Sequence, residues 1–306
     1  MKTIYLHIGT HKTGTTTIQS ILSANQEAIL AQGYYYSKKC RIRITPGNHP
    51  LAWALLHGDR MLNEQTGEIL DLSCAWSDFL EEIPQAAENI IISSEYFCLF
   101  RDEQVLTLKE ILANFRVIPI LYLRRQDKFL LSLYSENVKS NGHFESVHSF
   151  IQNQQEKVDY LGIIDRWSRA FGHENMVIGL YTLGEGNTDL IGDFLSKIGI
   201  VMDRDELKIG DRRFNVNPPI KLLKIIRFLN WLMHGKFSMS LAQCRQLYTR
   251  NLLSRHIVNA ASLIPDKILS DHWLSVPERE DLISSFEAMN AKIATEYLGK
   301  PDGKLF

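Results

Sequence analysis

Features that would assign this chain to several common protein classes are scarce or absent. Its four cysteines are scattered through 306 residues, without the close pairing of a zinc site or a disulfide framework. The formal net charge of -1 gives no overall positive field, so composition does not point to a nucleic-acid partner. No apolar run approaches the roughly 20 residues that span a membrane, and no internal repeat or low-complexity tract is present. These absences favour a globular chain, which is long enough for a large buried core.

The start of the chain shows no sign of a secretory leader. The stretch MKTIYLHIGTHKTG contains no apolar run of signal-peptide length, and its β-forming residues predict a strand almost at once. We therefore expect a cytoplasmic protein without a transmembrane segment, whose thiols are reduced and mostly structural.

Apolar runs rich in β-forming residues alternate with segments of helical periodicity through the first 200 residues or so. The predicted strands are Ile4–Ile8, Asn89–Glu95, Arg116–Arg125 and Asn175–Tyr181, and the predicted helices are Thr15–Ala31, Glu103–Asn114 and Asp127–Lys139. Such alternation predicts a parallel sheet that is covered by helices on both faces. We expect one three-layer α/β/α domain over residues 1–306, with an α/β core at 1–200 and a mostly helical part at 201–306.

One segment of the later part, PPIKLLKIIRFLNWLMHGKF, is basic and amphipathic. A helix that packs its apolar face on the core and leaves its lysines solvated explains this pattern. Peripheral contact with a membrane surface or a lipid acceptor is the alternative explanation.

The stretch IGTHKTGTTTIQS near the amino terminus nearly matches the P-loop pattern of Gly, four residues, Gly, Lys and Ser or Thr. Gly9, Gly14 and Thr16 occupy their positions, but position 15 is Thr15 and the lysine lies earlier, at Lys12. A loop between a strand and a helix exposes backbone N–H groups at the positive end of that helix, and threonine hydroxyls add donors. The loop is therefore expected to hold a phosphate, while its lysine is displaced from where it would act on a triphosphate.

The segment HKTGTT resembles the 5′-phosphosulfate-binding loop of sulfotransferases that use 3′-phosphoadenosine 5′-phosphosulfate (PAPS), whose pattern is roughly K-[ST]-G-[ST]-T. In that family a later strand ends in an arginine, a serine follows eight residues on, and both bind the 3′-phosphate. The segment YLRRQDKFLLSLYSE offers Arg124 and Ser132 in this arrangement, with Arg125 as a neighbour that can substitute. The stretch VPEREDLISSFEAMNAKIATEYLG also resembles the closing helix of bacterial members.

The resemblance implies a sulfotransferase fold of the P-loop type and a nucleotide site that needs no metal. The implied PAPS-binding residues are His11, Lys12, Thr13, Gly14, Thr15, Thr16, Thr17, Arg124, Ser132, Arg212 and Arg213. Lys12 would contact the bridging oxygen and stabilise the leaving 3′,5′-diphosphate (PAP). Cytosolic aryl and steroid members carry tryptophan where this chain has Thr17, so the match is closer to glycan-type and bacterial members, and the residue that stacks on adenine stays open.

A hydroxyl acceptor also needs a general base. Glu95 is the first candidate because it follows a predicted strand at its carboxyl end, where open α/β sheets bind ligands. A helix-capping or surface role is the alternative for Glu95. His49, in TPGNHPLAW, is the second candidate, with packing as its alternative role. His11 flanks the lysine and is expected to shape the mouth of the pocket.

The resemblance implies transfer of a sulfuryl group from PAPS to a hydroxyl of a small-molecule acceptor, which we expect to be a carbohydrate or glycolipid. A P-loop nucleotide kinase or nucleoside triphosphatase and a non-catalytic nucleotide-binding module are the alternatives. The displaced lysine and the lack of a clear magnesium carboxylate argue against the kinase. The aromatic stretches GYYYS and HPLAW are either sugar-stacking surfaces or core. Neither the acceptor nor the oligomeric state can be read from the sequence.

Overall fold

The computed structural model describes residues 1–38, 40–41, 46–62, 67–182, 189–202, 207–208, 218–236, 261 and 263–306. The chain divides into two compact units. The first comprises Met1–Arg124, Tyr160–Arg213 and Met289–Phe306, and the second comprises Arg125–Asp159 and Phe214–Ala288. That residues 1–306 form a single domain, with an α/β core at 1–200 and a mostly helical part at 201–306, stays a prediction.

The described strands are β1 (Thr3–His7), β2 (Tyr34–Tyr36), β3 (Arg60–Leu62), β4 (Ile69–Asp71), β5 (Asn89–Ser93), β6 (Arg116–Leu123) and β7 (Val177–Leu180). Five of them form a parallel sheet in the first unit, in the order β2-β5-β1-β6-β7. In its register Ile4 of β1 lies between Ile90 of β5 and Val117 of β6. Strands β3 and β4 form a separate antiparallel pair. The predicted central parallel sheet is confirmed, and its strands are nearly continuously apolar because helices cover both faces.

The described α-helices are α1 (Thr15–Ala24), α2 (Gln26–Ala31), α3 (His49–His57), α4 (Ala75–Glu81), α5 (Asp102–Ile111), α6 (Gln126–Ser140), α7 (Val147–Asn153), α8 (Tyr160–Phe171), α9 (Leu190–Ile198), α10 (Ile220–Asn230), α11 (Val276–Ser284) and α12 (Glu287–Leu298). On one face of the sheet, Ile91 and Tyr122 pack against Leu22 of α1 and Phe194 of α9. On the other face the strands pack against α3, α4, α5, α8 and α12, and Trp167 is fully buried there. This is the expected three-layer α/β/α arrangement.

The second unit is helical and has its own core. Phe129 and Tyr134 of α6, Phe150 of α7 and Ile226 of α10 are buried together. Helix α10 covers the first part of the basic amphipathic segment, and its apolar face packs on a core as predicted. The prediction that its lysines are solvated is wrong for Lys221, which is buried. Contact of this segment with a membrane stays a prediction. In the part of the chain that the structure describes, no helix has both the length and the apolar character needed to cross a membrane.

Two predicted features differ in the structure. The helix predicted over Thr15–Ala31 is broken at Asn25, whose side-chain amide donates to the carbonyl oxygens of Ile21 and Lys208. Asparagine side chains compete with the helix for backbone partners, which explains the break. In the GYYYS stretch, Tyr34 and Tyr36 are buried in the short strand β2, so they belong to the core and do not form a sugar-stacking surface.

Candidate active site

The loop that follows β1 turns sharply into α1 and depends on two glycines. Gly9 and Gly14 have φ values of 50° and 79°, which favour glycine. A Cβ on Gly14 would lie 2.9 Å from Cε2 of Tyr181. A Cβ on Gly9 would lie 3.1 Å from Oγ1 of Thr15 and 3.3 Å from Cα of Glu95. The loop therefore packs closely against the residue that begins the segment after β5.

Threonine hydroxyls brace this loop from within. Oγ1 of Thr13 donates to the carbonyl oxygen of Thr10 at 2.6 Å, and Oγ1 of Thr15 approaches the same oxygen at 3.4 Å. The hydroxyl of Thr10 in turn donates to a carbonyl of β6 at 3.0 Å. The hydroxyls of Thr16 and Thr17 have no partner within the described ranges. Of the threonine hydroxyls in this segment, these two are therefore the ones that remain to donate to a ligand.

The backbone of the loop is strained at Lys12. Among the described residues it is the only non-glycine residue with a positive φ, at 64°. This left-handed conformation costs an L-residue roughly 1–2 kcal/mol. Nη1 of Arg124 donates to the carbonyl oxygen of Lys12 at 2.9 Å and holds this conformation. Backbone strain of this kind is concentrated at binding and catalytic loops, which favours a functional role for Lys12.

The first turn of α1 fits an anion. The backbone N–H of Thr17 donates to the carbonyl of Gly14 at 2.9 Å, but the N–H groups of Thr15 and Thr16 have no acceptor in the part of the chain described. This turn carries no acidic side chain. Unpaired N–H groups at the positive end of a helix bind phosphate, so the residues present fit the 5′-phosphate of a nucleotide.

Arg124 lies at the carboxyl end of β6, which pairs with β1. Its guanidinium carbon lies 5.3 Å from the ring centroid of Tyr181, and its carbonyl accepts a 2.7 Å hydrogen bond from the hydroxyl of Tyr160. The side chain is thus held beside the loop, between Lys12 and Tyr181.

The other residues predicted to bind the 3′-phosphate belong to the second unit or lie outside the described residues. Nε of Arg125 donates at 2.7 Å to the buried carboxylate of Asp127, so Arg125 is engaged within the second unit. Ser132 lies in α6 of that unit, and its role stays a prediction. Arg212 and Arg213 lie outside the described residues.

Glu95 lies at the same edge of the sheet as Lys12 and Arg124. Strands β5, β1 and β6 are neighbours in the sheet, and each of these residues follows one of them at its carboxyl end. Glu95 is the first residue of a 3₁₀ helix, Glu95–Leu99, and the N-cap is Ser94, whose hydroxyl accepts from the N–H of Tyr96. Glu95 is therefore not the cap, and its side chain remains 20% exposed.

The second base candidate, His49, is a neighbour of Glu95. His49 is the first residue of α3 and is buried. Its Nδ1 lies 2.9 Å from Oγ of Ser94 and 3.8 Å from Oε2 of Glu95. Trp53, from the HPLAW stretch, is also buried, with its ring centroid 5.6 Å from that of His49. This tryptophan packs in the core and is not a sugar-stacking surface.

The environment sets the protonation of both candidates. Burial has the largest influence on Glu95 and opposes its ionisation, but His49, His11, a backbone N–H and the amide of Gln19 together hold the pKa of Glu95 below its ordinary value. Burial lowers the pKa of His49, and attraction to Glu95 offsets only part of that effect. At neutral pH Glu95 is a carboxylate and His49 a neutral imidazole, so both can accept a proton.

Three further residues at this site were not predicted from the sequence. Tyr181 contacts the loop at Gly14, and Ser94 caps the segment that begins at Glu95. Gln19 is a fully buried glutamine among the apolar positions of α1. A polar residue on the buried face of a helix indicates a contact inside the fold, and of these three residues only Gln19 shows this pattern in the sequence.

The ring centroid of His11 lies 5.8 Å from that of Tyr96. Its expected place at the mouth of the pocket stays a prediction.

Among the residues that the structure describes, no three or more His, Cys, Asp or Glu side chains are grouped so as to hold a metal ion.

Known proteins that are similar to this chain include one sequence relative and one solved structure. No protein-family model matches the chain. An uncharacterized protein from Archaeoglobus fulgidus is 28% identical over 216 residues, which is 69% of this chain and 54% of the relative, so the chain spans about half the relative's length. Among solved structures, a sulfotransferase from Alicyclobacillus acidocaldarius is similar with a TM-score of 0.47 and 13% identity, covering 80% of this chain and 99% of that one. A likeness at this level carries no inference about activity.

Proposed function

We propose that this chain is a PAPS-dependent sulfotransferase whose acceptor is a hydroxyl of a carbohydrate or glycolipid. One observation supports the proposal: a phosphate-type loop with a displaced lysine, an arginine and a carboxylate follow three adjacent parallel strands at their carboxyl ends. Arg124 bonds to the carbonyl of Lys12, and Gly9 packs against the backbone of Glu95. Open α/β sheets bind their ligands at this edge.

The loop supplies positive potential where the reaction needs it. PAPS, when bound, supplies an activated sulfuryl group, whose transfer leaves negative charge on a phosphate. The N–H groups of Thr15 and Thr16 and the dipole of α1 hold an anion at the start of the helix. Lys12 adds an ammonium at the entry of the loop. Donors fixed before the reaction stabilise developing charge without reorganisation, which is the usual source of such catalysis.

Arg124 is proposed to bind the 3′-phosphate of the nucleotide. A planar guanidinium fork matches phosphate oxygens better than a point charge does. The same side chain holds the Lys12 carbonyl, so it also stabilises the conformation of the loop. Ser132 is proposed as a second ligand on the strength of its spacing alone, eight residues after Arg124 in the sequence.

Glu95 is proposed as the general base for the acceptor hydroxyl. Its side chain is 20% exposed, whereas that of His49 is 4% exposed, so the carboxylate is the better placed to meet an acceptor. The ionised state that neighbours favour at Glu95 is also the state that accepts a proton. His49 is the second candidate.

The carbohydrate or glycolipid class of the acceptor rests on the resemblance at Thr17. The cytoplasmic location stays a prediction.

A thermal-shift experiment tests the nucleotide assignment. PAP in EDTA is expected to raise the melting temperature by about 5 °C at a hundredfold excess over its Kd. At the same PAP concentration, Arg124→Ala should lose about half of this shift or more, as a tenfold to hundredfold loss of affinity requires. Arg116→Ala is the matched control, because Arg116 is an exposed arginine at the opposite end of the same strand. A shift with ATP that needs magnesium, and none with PAP, would support the kinase alternative instead.

A transfer assay tests the enzymatic part. The protein is incubated with sulfur-labelled PAPS and a panel of mono- and oligosaccharides, glycolipids and phenols. Label is expected in a carbohydrate or glycolipid, and Glu95→Gln should abolish it while PAP binding is retained. Binding of PAP without transfer to any member of the panel would favour the non-catalytic module.

A further inference from the structure

Helix α1 carries the phosphate-type loop at its first residues and, one turn later, a buried amide that reaches the candidate base. Gln19 is 1% exposed. Its Nε2 lies 3.3 Å from Oε2 of Glu95 and 3.3 Å from Oγ of Ser93. A single NH₂ group has two hydrogens, so it can serve both oxygens. Gln19 therefore links the base to the end of β5.

The far end of this link is itself fixed. The N–H of Ser93 donates to Oδ1 of Asn48 at 3.0 Å, and the N–H of Asn48 donates to the carbonyl of Ser93 at 2.8 Å. Oγ of Ser93 also lies 2.8 Å from Nδ1 of the buried His7. A Cβ on Gly47 would lie 2.7 Å from Nε2 of Gln19, so the amide occupies a closely fitted space. The amide is held between fixed partners and has little freedom to turn away from Glu95.

We propose that Gln19 is a positioning residue that sets the orientation of the Glu95 carboxylate, so that the helix carrying the phosphate-type loop also aligns the base. The proposal rests on the proposed function only in naming Glu95 the base. Thr15, whose N–H faces the anion site, and Gln19 are four residues apart in one helix, a rise of about 6 Å. The separation between donor nucleotide and base is thus set within one rigid element.

Several titratable groups face Glu95 and report its position. They are His49 on α3, His11 in the loop, His7 on β1, Tyr36 on β2 and Tyr96 in the 3₁₀ helix. Attraction to Glu95 raises the pKa of His49 and so offsets part of the effect of burial, because Oε2 of Glu95 lies 3.8 Å from Nδ1 of His49. A change in the direction of the carboxylate therefore appears in the titration of His49.

The experiment is an NMR pH titration of the ¹⁵N-labelled imidazoles in the full chain. Gln19→Met removes the amide at nearly constant volume, so Glu95 is released and the pKa of His49 should fall. Gln19→Glu places a second negative charge beside the pair, so the pKa of His49 should rise. Gln26→Met is the matched control: Gln26 donates to the carbonyl of Tyr36 at 2.7 Å and does not touch Glu95. The control should leave the titration unchanged.

A purely structural glutamine would leave the pKa of His49 unchanged in Gln19→Met, so that result overturns the proposal, whereas the added charge of Gln19→Glu raises this pKa in either case. A lower pKa of His49 in Gln19→Met supports the proposal, and the rise in Gln19→Glu shows that His49 senses charge at this place. Gln19→Leu replaces Gln19→Met if that variant does not fold. Turnover with an acceptor identified by the transfer assay should fall about tenfold to a hundredfold in Gln19→Met, while the Kd of PAP stays constant. If PAP fails to bind the wild-type protein, the proposed function fails, but the titration still decides the role of Gln19.

Discussion

Replacing Lys12 by alanine and by glycine separates its chemical role from its backbone strain. Both variants lose the ammonium, so both should lose turnover by about 10²–10³, or roughly 2.7–4 kcal/mol, if it acts like one oxyanion-type donor. They should differ in stability. The φ of 64° costs alanine roughly 1–2 kcal/mol, whereas glycine adopts it freely but loses about 0.5–1 kcal/mol of chain entropy on folding. Lys12→Gly should therefore be more stable than Lys12→Ala by about 1 kcal/mol.

Single-turnover kinetics with PAPS and an identified acceptor measure the first effect, and urea unfolding measures the second. PAP affinity should fall less than turnover, because the N–H groups of Thr15 and Thr16 still hold the 5′-phosphate. Lys12→Arg should not restore the rate, since a larger fork does not replace a compact ammonium at one oxygen. Near wild-type turnover in Lys12→Ala would refute the catalytic role. Equal stabilities of the alanine and glycine variants would refute the argument from strain.

Three other predictions follow from individual contacts. Arg124→Ala should weaken PAP binding about tenfold to a hundredfold by calorimetry, since a charge-assisted hydrogen bond is worth about 1.5–3 kcal/mol, and an unchanged Kd would contradict the assignment. Burial lowers the pKa of His7 to about 4, so the unfolded chain binds the extra proton, and stability should fall by up to about 3 kcal/mol as pH drops from about 6.5 to 4. Urea unfolding of His7→Gln should show a smaller loss over that range, and an identical pH profile would exclude His7 as its cause. Asp127→Asn should destabilise the chain by about 2 kcal/mol in chemical unfolding, because it removes charge-assisted hydrogen bonds to Arg125 and Arg279, whose side chains are partly exposed and can be solvated, and no change would argue against this.

The parts of the site that depend on local sequence could be predicted. The apolar run before Gly9 and the helical spacing after Gly14 predict a strand, a loop and a helix, and the structure contains them as β1 and α1. The same reasoning predicts that Glu95 and Arg124 follow buried strands at their carboxyl ends. These predictions succeed because hydrophobic periodicity reports the neighbourhood of each residue.

The parts that depend on contacts distant in sequence could not be predicted. That β1 lies between β5 and β6 follows from packing of the whole sheet, and no single segment carries that information. The contact of Gln19 with Glu95 joins residues 76 positions apart. The positive φ of Lys12 could not be predicted either, because no local pattern requires a lysine in the left-handed region. The hydrogen bond that holds this conformation comes from Arg124, which is 112 positions away in the sequence.

The buried position of Thr15 gives a physical reason for the displaced lysine. Thr15 is only 5% exposed, its hydroxyl is directed to the carbonyl of Thr10, and a Cβ on Gly9 would already crowd it. A lysine at position 15 would have to pass its long side chain through this packed space or unfold the turn. At position 12 the left-handed backbone carries the side chain on the open part of the loop, where the residue is only partly buried. Under the proposed function, the loop keeps N–H groups for a phosphate and carries the ammonium at its entry, an arrangement suited to a bond beyond the first phosphate.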